Sequence, residues 1–302
     1  MASMREIRAR IKNVKNTQQL TKAMKMVSVS KLRKVKLSME AMRPFTEKAQ
    51  EILSTLLSDD KVASNIFVRA EKDVKKVCYV LFVGNRGLCG AYNSNIERHL
   101  ENLTANETHA YSVIVCGRWG KELMRSAGLP VTYTYEDMPD TPATEQGIEL
   151  TERLKGMYIG GEADKIVLVY QRYVNALIQV PCEVQLLPVV RQKEPTEEPP
   201  ESLYIFEPDQ QTILDNIMRL YINSMVYSAL LEAKAGEHSA RMRAMTAASD
   251  NTRDIIADLS IKLNRARQAA ITTEISEIVG GAAALKGKSD DESKAAPQEK
   301  CL

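Results

Sequence analysis

Aromatic residues are scarce, at 5% of the 302-residue chain with a single Trp, which is less than a compact domain dominated by β-structure would use. No run of about 18 apolar residues occurs, so nothing in the sequence reads as a membrane-spanning helix. The five cysteines, Cys78, Cys89, Cys116, Cys182 and Cys301, form no CxxC pair. The three histidines, His99, His109 and His238, are scattered, so neither zinc spacing nor a Cys/His nucleophile arrangement is present. Four of the cysteines sit in apolar or Gly-rich surroundings and read as buried free thiols of a reducing compartment. The N-terminus lacks an apolar core and a small-residue cleavage site, which argues against a secretory signal. It is basic and amphipathic, as transit peptides are, yet its pattern continues past residue 50 and is too long for a discarded leader.

Glycine is missing from residues 1–58, and Pro44 is the only proline there. What fills the stretch is a helical seam. Ile7, Ile11 and Val14, then Leu32, Val35, Met39 and Met42, then Ala49, Leu53 and Leu56 recur at alternating steps of three and four. That 3.5-residue period belongs to a left-handed coiled coil. Gln18, Thr21, Lys25 and Ser28 interrupt it, and are expected to weaken the seam and mark a surface shared with a partner. Residues 59–76 carry mixed charge without a period and read as a connector.

A different pattern fills 77–190. Apolar runs that end at glycine, Val77–Val83 before Gly84 and Tyr111–Cys116 before Gly117, have the length of buried strands. Helical stretches at 91–103, 118–127 and 144–158 alternate with further strands at 131–135, 166–170 and 178–189. The alternation predicts a Rossmann-like α/β domain with a largely parallel sheet. Residues 191–208 are rich in Pro and Glu and read as a loop. Helical periodicity returns over 209–285, and the charged stretch 286–302 reads as a disordered tail. The fold class is thus mixed α/β: two long terminal helices around a small sheet domain. At 1.5 Å per residue these helices would span roughly 85 Å and 110 Å, against about 30 Å for such a domain. Neither can bury its stripe there, so the two are expected to pair as a long antiparallel coiled coil.

Gly84, Gly87 and Gly90 follow a strand and open a helix, the place of a phosphate loop. Ala91 and Tyr92 stand where the Lys and Ser/Thr of that loop belong, and the spacing is not that of a dinucleotide fingerprint. The three glycines read as a structural turn, with no nucleotide or other cofactor bound. The first helix is strongly basic, from Arg5 and Arg8 to Lys36 and Arg43. Nucleic acid is the sharp alternative for such a helix, but no aromatics interleave and the apolar seam runs through the same residues. A basic rod among acidic loops fits the same charges.

The segment Ile271-Thr272-Thr273-Glu274-Ile275-Ser276-Glu277-Ile278-Val279-Gly280-Gly281-Ala282 resembles the C-terminal signature of the ATP synthase gamma subunit family. Asn16–Val27, Gly87-Leu88-Cys89-Gly90-Ala91-Tyr92-Asn93 and Glu237-His238-Ser239-Ala240-Arg241-Met242 are similar to the other motifs of that family, in order. The resemblance implies the non-catalytic central shaft of a rotary ATP synthase. Its partners would be the α and β subunits of the catalytic ring, the epsilon subunit and the membrane c-ring. It would lie peripherally at the cytoplasmic face of a bacterial plasma membrane. By position in the motifs, Lys12, Lys15, Lys22, Met24, Lys25, Arg267, Gln268, Thr272 and Glu274 would contact the β subunits, and Tyr204, Glu207 and Pro208 the c-ring. Gly236 stands where Ser is expected. A glycine there costs about 1 kcal/mol of helix stability and puts the local straightness of the helix in question.

Overall fold

The computed structural model describes residues 4–57, 66–68, 74–105, 107–126, 128–189 and 210–294. The chain begins with helix α1 (Met4–Leu57) and, among the described residues, closes with helix α5 (Gln210–Lys294). Between them run β1 (Lys76–Phe82), α2 (Tyr92–Thr104), β2 (Ala110–Cys116), α3 (Arg118–Ser126), β3 (Val131–Tyr135), α4 (Thr144–Ile159), β4 (Lys165–Tyr173) and β5 (Gln179–Leu187). Tertiary contacts group the chain into two units, 23–246 and 1–22 with 247–302.

In the first unit the sheet order is β3-β2-β1-β4-β5. β1 pairs in parallel with β2 and β4, β2 with β3, and only β5 returns antiparallel, by a hairpin from β4. Alternate side chains of a strand face opposite ways, and β1 serves two cores accordingly. Cys78, Val80 and Phe82 join one, and Val77, Tyr79 and Leu81 the other. α2 covers the second face through Tyr92, Ile96 and Leu100. The first face is covered by Leu150 and Leu154 of α4, Leu53 and Leu56 of α1, and a run on α5 from Leu214 through Ala233. The expectation that neither long helix buries its stripe on the sheet is therefore corrected. The start of α5 and the end of α1 form part of the layer over it, because their apolar faces there are wider than a seam two residues deep.

The helices also meet each other in this unit. Leu32 and Val35 of α1 cluster with Tyr227, Leu231 and Ala235 of α5, flanked by Met39, Met42 and Met242. Leu53 and Leu56, later in α1, share a core with Leu214 and Met218, earlier in α5, so the pair is antiparallel. Of the polar interruptions in the seam, Ser28 is buried and donates its hydroxyl to Met24 O at 2.8 Å. Small hydroxyls bonded back to the preceding turn fit a helix–helix seam without an orphaned polar atom, so this position belongs inside the coil rather than on a shared surface.

The other unit pairs the outer ends of the same helices. On α1 the covered positions are Met4, Ile7, Ile11, Val14, Gln18 and Thr21; on α5 they are Ala248 and Ser249, then Thr252, Ile256, Leu259 with Ser260, Leu263, Ala266 and Ala270. Both sets keep the three-four step of a coiled coil. Thr21 is buried and its hydroxyl donates to Gln18 O at 3.0 Å, the same solution as at Ser28. From Ile271 through Ala282 every residue of α5 is exposed. The helix then continues to Lys294. The expected disorder from residue 286 is corrected as far as Lys294: three alanines and Leu285 favour helix strongly enough to carry it past Gly280 and Gly281. Residues 295–302 lie outside the described residues.

Candidate functional site

The glycine turn after β1 is fastened from several sides. Gly84 N donates to Asn93 Oδ1 at 2.9 Å, and Val83 N to Cys116 O at 2.9 Å. Leu88 and Gly90 adopt positive φ of 61° and 59°. A Cβ on Gly87 would stand 3.2 Å from the Trp119 ring. One on Gly84 would meet the Glu237 carboxylate of α5 at 3.2 Å. Arg241, one helical turn on, donates to Arg86 O at 3.0 Å and to Gly87 O at 3.4 Å. A phosphate cradle presents free N–H groups to an anion. This turn presents carbonyls to a guanidinium, beside a carboxylate.

Glu237 is the centre of that fastening. Its carboxylate accepts from Lys234 Nζ at 2.9 Å and from Arg241 at 2.8 Å. Lys234, Glu237 and Arg241 are only 2%, 1% and 7% exposed, so this is a buried triad and not a surface charge run. Burial alone would raise the Glu237 carboxyl, but Lys234 and Arg241 together hold it below the ordinary carboxylate range. His238, next on the helix, is buried and kept neutral by that burial. Its Nε2 meets Asp140 O at 2.8 Å, an accepting carbonyl, so that nitrogen carries the proton. The Asp140 carboxylate takes an ion pair from Lys31 of α1. Its partial burial opposes ionisation, and Lys31 outweighs it, leaving the carboxyl below its ordinary value. Asp140 therefore ties both long helices to the loop that precedes α4.

The same helix makes room for a close approach. A Cβ on Gly236 would stand 3.1 Å from Tyr92 Cε2, and the Tyr92 hydroxyl donates to Ala233 O at 2.7 Å. Gly236 lies within the unbroken α5, where its lack of a side chain admits the tyrosine ring. The doubt over straightness is replaced by a packing role.

The residues that the sequence assigns to partner contacts fall in three places. Lys12, Lys15 and Lys22 on α1, and Arg267, Gln268, Thr272 and Glu274 on α5, are exposed and belong to the unit formed by the outer helix ends. The Thr272 hydroxyl donates to Gln268 O at 2.9 Å, within its own helix. Met24 and Lys25 are half-buried and belong to the unit that holds the sheet. Tyr204, Glu207 and Pro208 lie outside the described residues. Sequence reasoning missed the Lys234–Glu237–Arg241 triad and Asp140. Oppositely charged residues three and four apart look like any solvated helix face, and nothing local signals that this face is covered.

Cys78, Cys89 and Cys116 are buried and free, and Cys182 is free and half-buried. Burial pushes the Cys78 thiol up to about 11 and raises the other three, so none is a poised thiolate. Among the described residues no cluster of His, Cys, Asp and Glu could hold a metal ion, and no helix is long and apolar enough to cross a membrane.

The chain is a five-stranded α/β unit carried on two long terminal helices that pair antiparallel, with a glycine turn closed by its own Arg241. The family described as ATP synthase matches residues 3–285. Over 286 residues the chain is 42% identical to the ATP synthase gamma chain of Desulfitobacterium hafniense, covering 95% of this chain and 100% of that one. It is 39% identical over 290 residues to the ATP synthase gamma chain of Staphylococcus saprophyticus, with the same coverage of each chain. Among solved structures, it resembles a chain of the central stalk and c-ring of the Tetrahymena thermophila mitochondrial ATP synthase. The TM-score there is 0.59 and the identity 25%, covering 76% of this chain and 99% of that one. A chain of the Euglena gracilis mitochondrial ATP synthase shares the fold with a TM-score of 0.67 at 19% identity, over 99% of this chain and 98% of that one. The chain belongs to the family of ATP synthase gamma chains, in its bacterial form, and has the fold of the central stalk.

Proposed function

We propose that this chain turns as the central shaft of a rotary ATP synthase. Driven by an ion-powered c-ring, it changes the state of catalytic β subunits that carry the active sites. The observation that carries this reading is the end of α5. Ile271, Ile275, Ile278 and Val279 are exposed on the stretch 271–282, where none of the described residues covers any face of the helix. A helix that leaves a stripe of apolar side chains open, with none of its faces covered, is completed by another subunit. A sleeve formed by the α and β subunits supplies that cover. The polar residues Thr272 and Glu274 on the same stretch and Arg267 and Gln268 on the turn before it, with Lys12, Lys15, Lys22, Met24 and Lys25 on α1, make contacts that are exchanged as the shaft turns. Strong apolar packing alone would pin it at one angle. A hydrogen bond to a charged group contributes about 1.5–3 kcal/mol, enough to bias a step without locking it. The foot of the shaft, with Tyr204, Glu207 and Pro208, rests on the c-ring beside the epsilon subunit. The chain is held peripherally at the cytoplasmic face of the plasma membrane and makes or breaks no ATP itself.

The test is the double variant Arg267→Ala with Gln268→Ala in the complete enzyme. ATP-driven ion pumping is expected to fall by more than the yield of assembled complex, both measured in one preparation. Assembly and pumping equal to the parent's would refute the assignment of these residues.

A further inference from the structure

The hairpin that joins β4 to β5 ends in an apolar tip. Val174, Leu177, Ile178 and Val180 are 55%, 70%, 51% and 47% exposed. Hairpin tips are usually made of Gly, Asn, Asp and Ser; this one has a single such residue, Asn175, followed by Ala176, Leu177 and Ile178. The exposure is not the slackness of a loose loop, because the backbone of the tip is held by side chains. Asn175 Oδ1 accepts from Leu177 N at 2.8 Å and from Ile178 N at 2.9 Å. Ser239 of α5 donates to Ala176 O at 2.7 Å. Gln179 donates to Asn175 O at 2.9 Å, and Arg243 of α5 donates to Leu177 O and to Gln179. Polar groups of α5 thus fix the main chain, while the apolar side chains face outward.

The rim of the tip is positive. Arg243 is exposed on α5, and Arg172 is exposed directly across the ladder from Val180. Neither forms a salt bridge among the described residues, although Glu232 lies near enough to Arg172 to act on it at a distance. Side chains, rather than the strand edge, are the means of contact: β5 ends the sheet, but Pro181 removes a main-chain donor from it.

We propose that the tip of the β4–β5 hairpin is a docking knob that seats an acidic protein segment bearing apolar side chains, on a neighbouring subunit of the assembly. The proposal rests on the central-stalk reading above. Leu177 and Ile178 supply the apolar contact, and Arg172 and Arg243 select carboxylates around it. Because the tip is already held, docking loses little conformational freedom.

The experiment places a photo-reactive p-benzoylphenylalanine at position 177 in the complete ATP synthase, followed by irradiation and mass spectrometry of the joined peptides. The expected product joins position 177 to a segment of another subunit in which Asp and Glu outnumber Lys and Arg. Its yield should drop about fivefold with Arg172→Glu, which changes an exposed side chain, and similarly in high salt. A dominant product on a neutral or basic segment, no product with any subunit, or a yield indifferent to Arg172→Glu would overturn the proposal. A chain that fails to co-purify with the other subunits would sink both readings. Co-purification without an acidic partner at position 177 would sink the docking knob alone.

Discussion

Removing the charge at Glu237 should be the most damaging conservative change in the unit that holds the sheet. Glu237→Gln keeps the shape and leaves Lys234 and Arg241 buried without their anion. Arg241 retains the carbonyls of Arg86 and Gly87. Lys234 has no other hydrogen-bond partner among the described residues. Deleting one member of a buried ion cluster costs about 3–5 kcal/mol, most of it from the uncompensated charge left behind. Urea unfolding of the full chain at neutral pH, parent against variant, measures the loss. The sign with pH follows from the lowered Glu237 carboxyl. A depressed folded value means that the stabilisation is fully present above the unfolded carboxyl's value, about 4.3, and is lost as pH falls through the folded value. The gap between parent and Glu237→Gln should therefore stay open from pH 8 to near 5 and close in stronger acid. Burial lowers His238 in both proteins, and the Glu237 charge opposes that lowering only in the parent, so any His238 contribution adds to the gap as pH falls. Adding Lys234→Met to Glu237→Gln should restore about 1–2 kcal/mol, since neighbours in one network do not add. A loss below about 1 kcal/mol at neutral pH, or a gap that ignores acidification, would refute the buried-charge argument.

Two glycines should respond in ways that helix and strand propensity alone do not give. Gly117 has φ of 126°, and a Cβ there would fall 2.2 Å from Val83 O, so Gly117→Ala should cost more than about 3 kcal/mol in the same unfolding assay. Gly236→Ala gains about 1 kcal/mol of helix propensity but presses on a Tyr92 ring that its hydroxyl holds in place. A net loss of about 1 kcal/mol is expected, reversing to a gain in a Tyr92→Leu background, and a gain in the parent background would show that the ring gives way.

Much of the fold could be read in advance because two periods dominate the sequence. Val77–Val83 and Tyr111–Cys116 are apolar on both faces and end at glycine, which only a sheet covered on both sides explains. The three-four step of α1 announces a helical partner before any partner is known. What stayed hidden depends on distance in the chain. Thr21 and Ser28 read as breaks in the seam because a hydroxyl counts as polar in a sequence window, whereas each is satisfied by its own helix and buries without cost to the partner. Nothing local in Lys234, Glu237 and Arg241 tells a buried ion cluster from a solvated helix face; the glycine turn that covers them lies more than a hundred residues earlier. Asp140 sits in a loop with no local pattern, and its importance comes wholly from Lys31 and His238.

Along α5, four kinds of surroundings follow one another without a break in the backbone. From Leu214 to Ala233 the helix lines the sheet, and the residues facing it are large and apolar. From Lys234 to Arg243 it grips the glycine turn and the hairpin tip through charges, with Gly236 and Ser239 where the neighbouring chain comes closest. From Thr252 to Ala270 a narrow three-four seam suffices, because only α1 is there to meet it. From Ile271 to Ala282 no described residue of its own chain covers it. Helix stability cannot account for this order, since Gly236, Gly280 and Gly281 are each poor choices for an isolated helix. Packing accounts for the first of them, at Tyr92. An added Cβ at 280 or 281 would meet nothing within 4 Å, so no contact among the described residues calls for glycine there. A sleeve that approaches the helix closely is the partner that a missing side chain admits, and it is the one that the central-stalk reading supplies.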